Sequence, residues 1–155
     1  MAIAAKLKSF LDEQKIPYQV LAHHERFTAP EIAQELHVPG HMMAKVVVVN
    51  ADGHRMIVAL DSNRRVDLEA LREAIDAHSV GLATEDEIRK QFPDCEVGAM
   101  PPFGNLYDVP VVVDEALTND KSIVFEAGNH HEAIKLAYAD FDRLVHPKVA
   151  AVGVR

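Results

Sequence analysis

The chain has 155 residues, of which 48% are hydrophobic and 26% charged, a composition typical of one ordinary globular domain. The formal net charge of −8 argues against broad binding to nucleic acid, because such binding needs basic patches that neutralise phosphates. The single cysteine, Cys95, excludes a disulfide framework and a cysteine-rich zinc site. No apolar run approaches the roughly 20 residues of a membrane span, and the N-terminal segment carries too many charges for a signal peptide. We therefore expect a cytoplasmic protein.

The first half of the chain predicts two helices and a hairpin. Thr28 and Glu31 have the spacing of a capping box, and Asp52 with Gly53 is a hairpin turn sequence. The predicted elements are a helix from Ile3, a strand at 18–21, a helix from Thr28 to about His37, and strands at 44–50 and 55–61. The valine run of the strand at 44–50 predicts burial on both of its faces.

The second half continues the alternation of helices and strands. Asp67 and Thr84 are typical N-cap residues, and Glu87 completes a second capping box. The predicted elements are helices after Asp67 and Thr84, strands at 109–114, 122–127 and 149–154, and short helices starting at Asn129 and Asp140. The whole pattern predicts one α+β domain over residues 1–155, with a mixed, strongly twisted β-sheet flanked by helices.

The segment from Gly98 to Gly104, GAMPPFG, interrupts these elements. Its adjacent prolines, Pro101 and Pro102, lack backbone donors and fit neither a helix interior nor a central strand. The glycines at its ends permit backbone conformations closed to other residues and allow a ligand to approach the main chain. Two interpretations stay open at this point: a stiff connector between strands, or a loop that shapes a site.

The side chains that could take part in catalysis or ligand binding narrow the choice of mechanism. Lys45 opens the valine strand, either as an edge lysine that discourages aggregation or as a cation for a phosphate or carboxylate. The histidine pairs 23–24 and 130–131 lack the spacing of a metal site, and no Gly-x-Ser-x-Gly nucleophile motif is present. Cys95 has no partner base that the sequence identifies.

Taken in order, several segments resemble the YbaK/prolyl-tRNA synthetase-associated family of editing domains. The resemblance runs from about His23 to Leu144 and rests on AKVVVV with Lys45, RRVDLEAL, CEVGAMPPFG, VPVVVD and IVFEAGNHHEAIKL. The Gly-x-x-x-Pro motif of the family falls on Gly98 and Pro102.

The resemblance implies an aminoacyl-tRNA deacylase that removes a wrong amino acid from tRNA, alanine on proline tRNA above all, with no metal, cofactor or covalent intermediate. The catalytic residues that it implies are Lys45, Gly98 and Pro102. Lys45 would bind the terminal nucleotide, and the backbone from Gly98 to Pro102 would hold the aminoacyl group and position the water or the ribose hydroxyl. The substrate-binding residues that it implies are Phe27, Ala99, Met100, Pro101, Phe103, Gly128, Asn129 and His130. The partners implied are the acceptor end of an aminoacyl-tRNA and, as an open point, prolyl-tRNA synthetase, with neither DNA nor a membrane.

Two other functions stay open beside this one. The first is a non-catalytic module that binds an aminoacyl-tRNA or a synthetase, and the second is a hydrolase of another small acyl ester, because a fold does not fix a substrate. Family members that remove cysteine carry a carboxylate on the helix after the glycine of the last strand. Here that neighbourhood is 129–133, with Glu132 or Ala133 near the position, so cysteine specificity is not indicated.

Overall fold

A computed structural model describes residues 4–26 and 28–155. The helices are α1 (Ala5–Glu13), α2 (Ala29–Glu35), α3 (Leu68–Ala74), α4 (Glu85–Gln91) and α5 (Tyr138–Val145). The strands are β1 (Gln19–Ala22), β2 (Ala44–Ala51), β3 (His54–Asp61), β4 (Arg65–Val66), β5 (Val80–Leu82), β6 (Val111–Asp114), β7 (Ser122–Glu126), β8 (Glu132–Ala137), β9 (Lys148–Ala150) and β10 (Gly153–Val154). No helix within the described residues is both long and apolar enough to cross a membrane.

The expected mixed sheet is present as five strands in the order β5-β2-β3-β6-β9. β2 and β3 form an antiparallel hairpin, whereas β6 runs parallel to β3 and β9 runs parallel to β6. Asp52 and Gly53 connect the hairpin with positive φ angles of 50° and 85°, as a two-residue turn of the favoured type requires. Val48 and Val49 belong to different core clusters, which confirms burial on both faces of β2.

Three further strands form a separate antiparallel sheet in the order β1-β8-β7, and β4 pairs with β10. The prediction of a short helix from Asn129 is wrong, because the chain turns there and continues as β8. The Asn129 side-chain oxygen accepts hydrogen bonds from the N–H groups of His131 and Glu132, at 2.8 and 2.9 Å. This bonding resembles a helix cap but closes a turn, since the apolar residues that follow pair with β7. The helix predicted from Asp140 is α5, which begins two residues earlier, at Tyr138.

The two larger sheets meet at one parallel bridge between Met43 and Val124. The Val124 N–H donates to the Met42 carbonyl at 3.0 Å, and α2 packs over the junction through buried Ile32. Beyond this bridge the chain continues into β2 on one side and toward the end of β7 on the other. The junction therefore places the first residues of β2 next to the last residues of β7.

The start of α1 closes over the end of β7. The Ala4 N–H donates to the Ala127 carbonyl at 2.8 Å. Gly128 follows with a φ of 102°, and a Cβ at this position would lie 2.8 Å from the Ala4 Cβ. Glycine is therefore required at residue 128 both by the backbone conformation and by the close approach of α1.

We expect Gly128→Ala to destabilise the protein by about 1–3 kcal/mol, because the new side chain meets Ala4 in a backbone conformation that alanine rarely adopts. Chemical denaturation followed by circular dichroism measures the change. Gly81→Ala is the matched control, since a Cβ at Gly81 meets nothing within 4 Å. Equal midpoints for the two variants would contradict this account of Gly128.

Candidate active site

The loop that carries the Gly-x-x-x-Pro motif lies against the end of β7. The Glu96 N–H donates to the Gly128 carbonyl, and the Gly128 N–H donates to the Ala99 carbonyl, both at 2.8 Å. We call residues 96–104 the proline loop and residues 126–131 the β7–β8 turn. These reciprocal backbone bonds show that the proline loop is held in place by the turn, which favours a shaped site over a simple connector.

Gly98 has a φ of 90°, in the left-handed region that favours glycine. A Cβ there would lie 3.5 Å from His130 Cε1, which is an ordinary contact, so the backbone conformation rather than a clash accounts for the glycine. The Gly98 N–H points to the Met100 sulfur at 3.1 Å, and the Ala99 N–H donates to the Glu96 carbonyl at 3.0 Å. Within residues 4–26 and 28–155, the Met100 N–H has no hydrogen-bond acceptor.

Side chains of the proline loop anchor it in the hydrophobic core. Phe103 is fully buried, with its ring centroid 5.5 Å from those of both Phe125 and Phe141. Ala99, Met100, Pro101 and Pro102 are also buried. A substrate that reaches this loop would therefore meet the exposed backbone of Gly98 before these buried residues, and direct substrate contact by Phe103 stays a prediction.

His130 joins the two segments through its ring. Its Nδ1 lies 3.1 Å from the Glu126 carboxylate, and its Nε2 lies 3.0 Å from the Val97 carbonyl. The His130 backbone N–H donates to the Glu96 carboxylate at 3.2 Å. Burial, with a further contribution from the charge of Glu96, raises the pKa of Glu126 to about 8. Glu126 was not among the predicted site residues, although an acidic residue that ends an apolar strand was visible in IVFEA.

Lys45 lies two residues beyond the bridge that joins the sheets, and Glu126 lies two residues beyond it on the other strand. Because strand side chains alternate with a period of two, Lys45 and Glu126 continue the face that Met43 and Val124 occupy. Burial lowers the pKa of Lys45, and the charge of Asp61 partly opposes this effect. In the described part of the chain no hydrogen bond or ion pair holds the half-buried Lys45 ammonium.

The structure thus brings the predicted residues together to different degrees. Gly128 and His130 are hydrogen-bonded to the proline loop, next to Gly98, and Asn129 closes the turn that carries them. The strand junction places Lys45 near the end of β7. Phe27 lies outside the described residues. Among the described residues no group of three histidine, cysteine or acidic side chains could hold a metal ion.

Cys95 is unsuited to nucleophilic catalysis. Its sulfur lies 3.4 Å from the Tyr107 hydroxyl, and burial raises the pKa of the thiol to about 12. The thiolate, which is the reactive form, is therefore scarce at neutral pH.

The sequence matches the model of one known protein family. The model for the aminoacyl-tRNA editing domain matches residues 23–144. The chain belongs to the aminoacyl-tRNA editing domain family. This confirms the resemblance that the sequence predicted and, with it, the α+β fold.

Among the relatives of this editing domain is the prolyl-tRNA editing protein ProX of Acetoanaerobium sticklandii, 28% identical over 93% of this chain and 88% of that protein. The proline–tRNA ligase of Geobacillus thermodenitrificans is 26% identical over 79% of this chain, which spans only 22% of the ligase. A solved structure of a candidate trans-editing enzyme for prolyl tRNA synthetase matches with a TM-score of 0.86 at 19% identity, over 98% of this chain and 97% of the other. At that identity the structural match supports the shared fold alone.

We expect the Cys95 thiol of the folded editing domain to react with a disulfide reagent about 100-fold or more slowly than in the unfolded chain, because its thiolate is suppressed. The reaction is followed spectrophotometrically at mildly alkaline pH, with the denatured protein as the control. A folded protein that reacts as fast as the denatured one would show that burial does not suppress the thiolate.

Proposed function

We propose that this protein is a trans-acting aminoacyl-tRNA deacylase, a single editing domain over residues 1–155 that removes alanine from mischarged proline tRNA. The observation that carries the proposal is the proline loop, bonded through its backbone to the β7–β8 turn. Half-buried Lys45 lies two residues past the bridge to β7, and no described residue holds its ammonium in a hydrogen bond or ion pair. The family and the names of the relatives, a prolyl-tRNA editing protein and a proline–tRNA ligase, support it.

In this proposal Lys45 binds a phosphate of the terminal nucleotide. A half-buried ammonium that no described residue holds in a hydrogen bond or ion pair has already lost part of its hydration, and a phosphate restores the missing interaction as a charge-assisted hydrogen bond. A compact ammonium group suits such a contact as a point charge. A protein that reads only the acceptor end needs few cations, which reconciles tRNA binding with a net charge of −8.

The proline loop then orients the aminoacyl ester. No described residue accepts a hydrogen bond from the Met100 N–H. In this proposal it donates to the ester carbonyl oxygen, where negative charge develops as water adds. The bond from the carbonyl carbon to the ribose oxygen breaks next, and the ribose oxygen takes a proton. Because Cys95 is held as a thiol, the proposed reaction has no covalent intermediate and depends on positioning and backbone dipoles. It uses neither a metal nor another cofactor.

The proposed partners follow from this chemistry. The substrate is the acceptor end of an aminoacyl-tRNA in the cytoplasm, and prolyl-tRNA synthetase is the proposed source of the mischarged product. Neither DNA nor a membrane has a part in the reaction.

Lys45→Ala should lower the rate of deacylation by about one to two decades, because losing a charge-assisted contact to a phosphate costs about 1.5–3 kcal/mol. Single-turnover hydrolysis of labelled aminoacyl-tRNA measures the effect. Lys45→Arg should also be impaired, since the planar guanidinium does not occupy the position of the ammonium.

Lys148→Ala is the matched control, because Lys148 lies exposed at the start of β9 and should leave the rate unchanged. A folded Lys45→Ala protein with full activity would leave Lys45 only the role of an edge-strand lysine.

A panel of mischarged tRNAs tests the function itself. Alanyl-tRNA should be hydrolysed faster than prolyl-tRNA by about 10- to 200-fold or more, because a small rigid pocket excludes the larger proline ring. The rates should be the same with and without a chelator. Equal hydrolysis of both substrates would overturn the editing proposal, and a loss of rate with the chelator that zinc restores would overturn the metal-free mechanism. Binding without hydrolysis would instead favour a non-catalytic module.

A further inference from the structure

A buried series of hydrogen bonds runs from Glu126 through His130 to Val97. Glu126 and His130 are 8% and 6% exposed, so their hydrogen bonds form away from water. One ring nitrogen of His130 faces the Glu126 carboxyl group at 3.1 Å, and the other faces the Val97 carbonyl at 3.0 Å. Val97 belongs to the proline loop and immediately precedes Gly98, so these hydrogen bonds connect Glu126 to that loop.

The chemistry of the partners determines where the protons lie. A carbonyl oxygen can only accept a hydrogen bond, so the Nε2 of His130 must carry a hydrogen. In the neutral ring with this tautomer, Nδ1 is an acceptor and needs a donor opposite it. An ionised carboxylate has no proton to donate, whereas a protonated carboxylic acid has one.

The surroundings of Glu126 favour the protonated form. Burial raises its pKa to about 8, and the negative charge of Glu96 from the proline loop contributes to the rise. Glu96 also lies 3.8 Å from the Nε2 of His130. On β8, Glu126 is paired with Ala133, which carries no charge. On β2, the charged residue is Lys45, which lies on the same face as Met43 and Glu126.

We propose that Glu126 is a positioning residue whose protonated carboxyl group donates a hydrogen bond to His130 Nδ1 and so fixes the tautomer whose Nε2–H holds the proline loop at Val97. This inference rests on the proposed deacylase function. The His130 ring lies directly behind Gly98, with its Cε1 3.5 Å from the position of a Cβ on that residue. A turn of the ring would therefore move the part of the loop that orients the ester.

The arrangement makes a directional prediction with pH. A raised carboxyl pKa means that the proton remains on Glu126 up to about pH 8 and is lost above it. The carboxylate would then face the unprotonated Nδ1, two acceptors in contact. The ring relieves this by moving its proton to Nδ1, which leaves Nε2 unprotonated against the Val97 carbonyl and breaks the hydrogen bond to the loop. Activity should therefore fall as the pH rises through about 8.

Glu126→Gln and Glu126→Ala separate this role from simple packing. Glutamine has nearly the same shape and keeps an N–H donor at every pH, so Glu126→Gln should retain activity at neutral pH and lose the decline at alkaline pH. Glu126→Ala removes the donor and should lower kcat by about 10- to 100-fold with little change in KM, because the loop is displaced rather than the cation that binds phosphate. Background hydrolysis of the ester is subtracted at each pH.

Glu115→Gln is the matched control, because Glu115 directly follows β6 as Glu126 ends β7 but is exposed. It should keep the profile of the original protein. An alkaline decline that persists in Glu126→Gln would overturn the proposal. So would a folded Glu126→Ala protein with unchanged kcat, and if that variant does not fold, the glutamine variant alone decides.

A spectroscopic measurement tests the same inference without any activity. The nitrogen-15 chemical shifts of the imidazole report which ring nitrogen is protonated, and the signals of His130 among the nine histidines are assigned by their loss in His130→Asn. At neutral pH we expect hydrogen on Nε2 alone, persisting to alkaline pH only in Glu126→Gln. Hydrogen on Nδ1 alone, or on both nitrogens, would overturn the proposal. Because this result does not require hydrolysis, failure of the deacylase proposal and failure of the Glu126 proposal remain distinguishable.

Discussion

The proposed site depends on backbone hydrogen bonds between the proline loop and the β7–β8 turn. Two adjacent prolines remove donors from the loop, so its remaining polar groups need partners outside ordinary secondary structure. The Gly128 carbonyl accepts a hydrogen bond from the Glu96 N–H, and the Gly128 N–H donates one to the Ala99 carbonyl. A loop attached in this way keeps one conformation, and a fixed conformation is what catalysis by oriented backbone dipoles requires.

Local sequence patterns predicted most of the elements, because their causes are local. Thr84 caps α4 through the reciprocal bonds of a capping box, and Asp52 with Gly53 forms the hairpin turn, both as predicted. Asn129 misled the prediction because the same side-chain bonding can start a helix or close a turn. The choice between them is made by the pairing of β8 with β1 and β7, which joins residues distant in sequence.

The site was predictable only in part, for the same reason. The Gly-x-x-x-Pro motif identified the loop, but nothing local indicated that a histidine from the β7–β8 turn would contact the carbonyl of Val97. The importance of Glu126 depends on its burial and on Glu96, which lies 30 residues earlier in the chain. Likewise, Lys45 is a strand lysine in the sequence, and only the bridge at Met43 places it near the end of β7.

The site is built from separate parts of the chain, and this determines when it can form during synthesis on the ribosome. Ala4 bonds to Ala127, His23 to His131, and Arg26 to His130, so segments near the N-terminus hold the β7–β8 turn against which the proline loop lies. Contacts of such long sequence separation form late and slow the folding of a domain. A nascent chain on the ribosome would therefore have no complete site until the β7–β8 turn and β8 had emerged. The proposed editing activity would therefore begin only after ribosomal synthesis had passed β8, long after Lys45 and the proline loop had been made.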